Sequence, residues 1–122
     1  MKAIEAIDLK AYTLEKLLTQ VAAWKLKGKT VAFTNGCFDI LHHGHLDLIA
    51  KAADQGNILV VGINSDASVK RLKGAERPIN NENDRAFQMA SLANLGGGLV
   101  CESLGVVPIN KELLRKEALI NL

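Results

Sequence analysis

The stretch Asn35-Gly36-Cys37-Phe38-Asp39-Ile40-Leu41-His42-His43-Gly44-His45 gathers residue types that can handle a phosphorylated ligand. It follows 29–34 (KTVAFT), which reads as a buried strand. It leads into 45–55, where Leu46, Ile49, Ala50 and Ala53 recur at helical spacing. The motif therefore joins the C-terminal end of a strand to a helix N-terminus. Open α/β sheets bind ligands at that place, and the unpaired N–H groups and dipole of a helix start favour anions. Gly36 and Gly44 are expected to let the backbone turn sharply and approach a phosphate. His42 and His45, three apart, can turn to one side at the helix entry. Two imidazoles there suit a polyphosphate better than a cation.

A site of this kind fits nucleotidyl transfer. An incoming phosphate oxygen attacks the α-phosphorus of a nucleoside triphosphate and pyrophosphate leaves. The nucleophile is already ionised near neutral pH, so alignment and charge stabilisation matter more than a strong base. Mg²⁺ on the phosphates would lower the repulsion further. A second group follows the next apolar run, 57–63 (NILVVGI): Asn64-Ser65-Asp66, then Lys70, Arg71, Lys73, Arg77 and Arg85. In a parallel sheet it emerges at the same edge as the histidines, where basic side chains suit anionic substrates.

Plainer readings stand beside these. The Lys/Arg group also fits a solvated helix face, and Asp39 a turn residue. Cys37 is a nucleophile by type, but no partner is fixed by sequence and packing accounts for it better. Cys37, His42, His43 and His45 match no common structural zinc spacing, so no metal site is expected.

The elements that must position these residues follow from periodicity and punctuation. Residues 13–27 read as an amphipathic helix capped by Thr13, with Leu14, Leu17, Leu18, Val21 and Trp24 on one stripe and Gly28 as its stop. Trp24 belongs to the core on this pattern. A helix between the two apolar runs implies parallel strands and an α/β fold. Ser65 or Asp66 can cap a short helix to Leu72, 73–80 is a loop around Pro78, and 81–95 is a further helix. Beyond Gly96-Gly97-Gly98, residues 99–103 could form a strand, and 111–120 a last helix.

Composition sets the outer bounds. The chain has 122 residues, 48% hydrophobic and 23% charged, a formal charge of +2, and cysteines at 37 and 101 only. This is one domain with an aliphatic core. The charge gives no footprint for nucleic acid, and two cysteines make no disulfide framework. No apolar run approaches ~18 residues, so no membrane span is expected. The N-terminus carries early acids and does not read as a signal peptide. A cytoplasmic protein with small-molecule substrates is the expectation.

GCFDILHHGH (36–45) resembles the GxFDxxHxGH signature of the cytidylyltransferase-like superfamily of HxGH nucleotidylyltransferases. The wider stretch 33–92 is similar to the branch that makes ADP-heptose from heptose 1-phosphate and ATP, most of all in SDASVKRLKGAERPINNENDRA (65–86). The resemblance implies a Rossmann-like three-layer α/β domain with a short parallel sheet. It implies transfer of AMP from ATP to a sugar 1-phosphate for lipopolysaccharide core synthesis. His42, His45 and Lys73 would be catalytic. Gly36, Cys37, Phe38, Gly44 and Arg85 would bind the nucleotide. Asp39, Asn64, Asp66 and Lys70 would bind the other substrate.

The second signature of that family, a Ser/Thr-rich turn with Arg, does not follow. Residues 93–122 instead resemble the end of the sugar kinase domain found beside this domain in bifunctional enzymes, in reversed order. Two domains are therefore drawn, 1–92 and 93–122, with the sheet truncated or rearranged at its end. An edge left open there invites a homodimer with strand exchange. Two other functions stay open: a nucleotide-binding chain without turnover, and a cytidylyltransferase for another phosphorylated substrate.

Overall fold

The structure, a computed structural model, describes residues 2–95 and 103–109. Five helices and three strands follow in the order α1 (Ala3–Asp8), α2 (Leu14–Leu26), β1 (Val31–Gly36), α3 (His43–Ala53), β2 (Ile58–Asn64), α4 (Asp66–Lys73), α5 (Glu82–Leu95) and β3 (Ser103–Ile109). The strands form one parallel sheet in the order β1-β2-β3. Val31 pairs with Ile58, and Ile58 with Ser103.

β2 is the centre, and all seven of its residues are buried. Its run of Ile, Leu and Val is what a parallel strand covered on both faces requires. Its side chains alternate between two cores. Leu59, Val61 and Ile63 pack with Ile7 of α1, Ile49 and Ala53 of α3, and Met89 and Ala90 of α5. Ile58 and Val60 pack with Val31 of β1 and with Leu17, Val21 and Trp24 of α2. The sheet thus carries α1, α3 and α5 on one face and α2 on the other, which makes three layers. Each buried aliphatic contributes about 1.5–3 kcal/mol as an upper figure.

The helix punctuation works as expected for α2 and α4. The Thr13 side chain accepts from the Lys16 N–H at 3.3 Å, and Gly28 beyond the helix has φ +75°. Ser65, rather than Asp66, caps α4, accepting from the Ser68 N–H at 3.2 Å. Trp24 is 8% exposed and stands edge-on to Tyr12.

Several boundaries differ from the sequence reading, three of them by two residues or more. β1 runs two residues later, to Gly36, because Val31 to Gly36 pair in register with Ile58 to Ile63. α3 begins at His43 instead of His45, because the His42 side chain itself caps it. The third strand is 103–109, not 99–103, and takes Pro108 on an edge strand of the described sheet, where proline is tolerated. The expected helix 111–120 lies outside the described residues. Among those residues, no helix is long and apolar enough to cross a membrane.

Candidate active site

β1 and β2 end side by side, so the residues after each meet at one edge of the sheet. The turn after β1 has an unusual backbone. Phe38 has φ +49°, a left-handed conformation that a bulky side chain enters only when its surroundings impose it. Gly36 and Gly44 do not have positive φ. Their expected role in sharp turning is therefore corrected: each makes room for a ring. A Cβ on Gly36 would lie 3.0 Å from the Phe38 ring, and one on Gly44 would lie 2.8 Å from the His42 ring.

The two histidines stack, with ring centroids 3.9 Å apart and planes 30° apart. His42 Nδ1 accepts from the Gly44 N–H at 3.0 Å. In neutral His42 the proton is then on Nε2, which makes that atom a donor for an anion. His45 rests edge-on against the buried Phe38 ring, centroids 5.3 Å apart. Its Nδ1 is buried and has no hydrogen-bond partner among the described residues. Burial holds the His45 imidazole below its usual pKa, and the nearby charges of His42 and Lys73 push the same way, against a weaker opposing effect of the Ile40 backbone. A bound phosphate would oppose this shift by placing a negative charge beside the ring.

A cleft of about 380 Å³ opens here, lined by Cys37, Phe38, Asp39, Ile40, His42, His45, Lys73 and Arg77. Of the residues named from sequence, Cys37, Phe38, Asp39, His42, His45 and Lys73 are brought together. Lys70 is exposed on α4 and is not among the cleft residues.

Asn64, Asp66 and Arg85 sit behind the cleft in a buried network. Arg85, expected on a phosphate, is 0% exposed. It donates to the carbonyls of Asn80 (2.9 Å), Cys37 (2.8 Å) and Asn64 (2.7 Å), and to the Asp66 carboxylate (2.8 Å). Its role is corrected accordingly: it ties together the ends of both strands, the start of α4 and the loop before α5. A buried guanidinium must be satisfied by such partners, and here protein oxygens take four of its five N–H donors. Asn64 donates to Ser68 Oγ at 3.1 Å, inside the same network.

Asp39 is 2% exposed. Its carboxylate accepts from the N–H groups of Ile79 and Asn80, both at 2.8 Å, and from Arg77 Nε at 2.5 Å. Its carbonyl accepts from the Asn80 side chain at 2.8 Å. Burial alone would raise the carboxyl, but the Asn80 and Ile79 N–H groups and the Arg77 guanidinium outweigh it and hold Asp39 below the usual carboxylate range. In this arrangement Asp39 orders the 77–80 loop. Sequence reasoning placed Arg77 only within a basic group and missed Asn80 altogether. The one signal was their position around Pro78, in a loop that follows a cationic helix end.

The donor set decides the metal question on chemistry. Mg²⁺ requires hard oxygen ligands, and the cleft offers imidazoles, an ammonium and a guanidinium. Its one carboxylate, Asp39, is occupied by three protein donors. The described residues also contain no group of three His, Cys, Asp or Glu able to hold a metal. The chain's own residues do not fit a resident Mg²⁺.

Comparison with known proteins bears on this geometry. Residues 33–117 match the cytidylyltransferase-like family. The bifunctional protein HldE of Mesorhizobium japonicum is 56% identical over 82 residues, which is 67% of this chain and 16% of that protein. The bifunctional protein HldE of Helicobacter acinonychis is 58% identical over 84 residues, 69% of this chain and 18% of that protein. The chain thus spans less than a fifth of the length of these curated relatives. The crystal structure of a lipopolysaccharide core biosynthesis protein from Thermoplasma volcanium superposes with a TM-score of 0.55 at 24% identity, over 76% of this chain and 69% of that one. That likeness concerns the fold.

Proposed function

Because the chain belongs to the cytidylyltransferase-like family and is a nucleotidyltransferase domain, we propose that it moves AMP from ATP to D-glycero-β-D-manno-heptose 1-phosphate. The product, ADP-heptose, would serve lipopolysaccharide core synthesis in the cytoplasm. The name of the Thermoplasma protein, which specifies lipopolysaccharide core biosynthesis, supports the lipopolysaccharide part of this reading, and the resemblance of 65–86 to the ADP-heptose branch supports the heptose part. The observation that carries the transfer chemistry is the stacked His42–His45 pair at the start of α3, with Lys73 beside it.

In the reaction, a phosphate oxygen of the sugar 1-phosphate forms a bond to the α-phosphorus of ATP. The bond from that phosphorus to the bridging oxygen breaks, and pyrophosphate carries away the electron pair. No proton need be removed. Nε2–H of His42, the His45 imidazole and the Lys73 ammonium stabilise the charge that builds on the phosphoryl oxygens. Any Mg²⁺ arrives on the nucleotide. Residues 103–109 contribute β3 to the sheet, and we propose that this segment belongs to the same folding unit as 1–92.

Purified chain given ATP and heptose 1-phosphate should release pyrophosphate, and His45→Ala should lower the rate by roughly 10²–10³-fold. Wild-type release no faster than that of the variant removes this reading. Preference for CTP over ATP in competition would move the activity to a cytidylyltransferase.

A further inference from the structure

The cleft holds two sets of cationic groups, and only one is explained by nucleotide phosphates. His42, His45 and Lys73 form the first set: the rings stack, and the charges of His42 and Lys73 both act on His45. Arg77 forms the second. It comes from the loop between α4 and α5, four residues after Lys73, and lines the same cleft. It is held from behind: Nε donates to Asp39, whose two oxygens are themselves fixed by the N–H groups of Ile79 and Asn80. Its two terminal nitrogens have no partner among the described residues, and the side chain remains one-third exposed at the cleft.

A guanidinium locked at Nε by a buried carboxylate has one free edge with a fixed direction. That edge matches two oxygens of a phosphate monoester. Paired with Asp39, Arg77 adds little net charge and contributes mainly orientation. In-line transfer also requires the attacking and leaving groups to be gripped from different sides of the α-phosphorus. We propose that Arg77 binds the phosphate of the acceptor, and that Asp39 is its positioning residue. This rests on the reading of the cleft as a nucleotidyl-transfer site, and adds which substrate the loop between α4 and α5 recognises.

Calorimetric titration of the full chain with heptose 1-phosphate and, separately, with ATP tests it in wild type, Arg77→Gln and Arg77→Lys. Heptose 1-phosphate binding should weaken by about 10- to 100-fold in Arg77→Gln, in line with loss of a charge-assisted pair. Arg77→Lys should restore only part of it, because an ammonium lacks the fork, and ATP binding should stay within about twofold in both. Far-ultraviolet circular dichroism and thermal melts confirm that the variants are folded, and Arg77→Lys carries the test if Arg77→Gln is not. Weakened ATP binding with unchanged heptose 1-phosphate binding overturns the proposal, as does no change in either or no acceptor binding by wild type. If wild type binds both ligands yet releases no pyrophosphate, the transfer reading fails while the acceptor subsite stands.

Discussion

Arg85 and Arg77 lie eight positions apart in sequence and do opposite things with the same side chain. Arg85 is fully buried, and four protein oxygens occupy its guanidinium. Arg77 has one nitrogen fixed and two open to the cleft. Asp39 resembles Arg85 in that protein donors occupy its carboxylate. Among the described residues two buried side-chain atoms have no partner, His45 Nδ1 at the cleft and Asn64 Oδ1 beside the Arg85 network. For the two arginines, residue type does not separate scaffold from cleft; the number of protein partners does.

The largest expected effects break the scaffold side of that contrast. Arg85→Met should destabilise the fold by about 2–3 kcal/mol, since it leaves three carbonyls and the half-buried Asp66 carboxylate without their donor. Urea unfolding followed by circular dichroism measures this. A loss under about 1 kcal/mol, with phosphate binding impaired instead, would return Arg85 to the ligand side.

Asp39→Asn is comparable, at about 2–3 kcal/mol, because hydrogen bonds to a charged acceptor are replaced by weaker ones and one N–H group meets an amide. It has a pH signature. The folded Asp39 pKa is depressed, so its contribution is present above the unfolded value of about 3.9 and disappears as pH falls through the folded value. The wild type should lose stability over that acid window, and the variant should show a flatter acid limb. Equal slopes would mean that the carboxylate is not what holds the loop.

The smallest effect sharpens the cleft side. His45 is held below its usual pKa in the free protein, so it is mostly neutral at pH 7. A bound polyphosphate raises it, so ATP binding should take up a fraction of a proton and tighten as pH falls through the ligand-bound value. Calorimetry in buffers of different ionisation enthalpy reads the uptake. His45→Ala should abolish most of it, and undiminished uptake in that variant would assign the proton elsewhere.

Much of this architecture was legible before any coordinates. The apolar runs at 29–34 and 57–63 with helical spacing between them required a parallel pair, and Thr13, Ser65 and Gly28 punctuated the helices where expected. His42 and His45 were singled out because a strand end feeding a helix start is an anion site by geometry, and Lys73 through the family resemblance; the structure brings all three to one cleft. Arg85 was misread because burial is a tertiary property: a charged residue on a helix is read as exposed unless the partners that cover it can be seen. The glycine roles were misread for a similar reason. Gly36 and Gly44 matter for the rings lying over them, those of Phe38 and His42, and that crowding is a tertiary property too. Arg77 and Asn80 gave no periodic signal, because a loop has none.

The wholly buried central strand has a consequence for how the chain is made. β2 pairs in parallel on both sides, with Val31 matched to Ile58 and Ile58 to Ser103, so neither of its neighbours can be reached by a tight turn. During synthesis, β2 leaves the ribosome with one partner already present and the other still to come. Until 103–109 emerges, an Ile-, Leu- and Val-rich strand offers an open row of backbone donors and acceptors to any passing chain. The strand that does most for the finished protein is therefore its main hazard while the protein is incomplete, and folding inside the cell depends on how soon β3 arrives to close that edge.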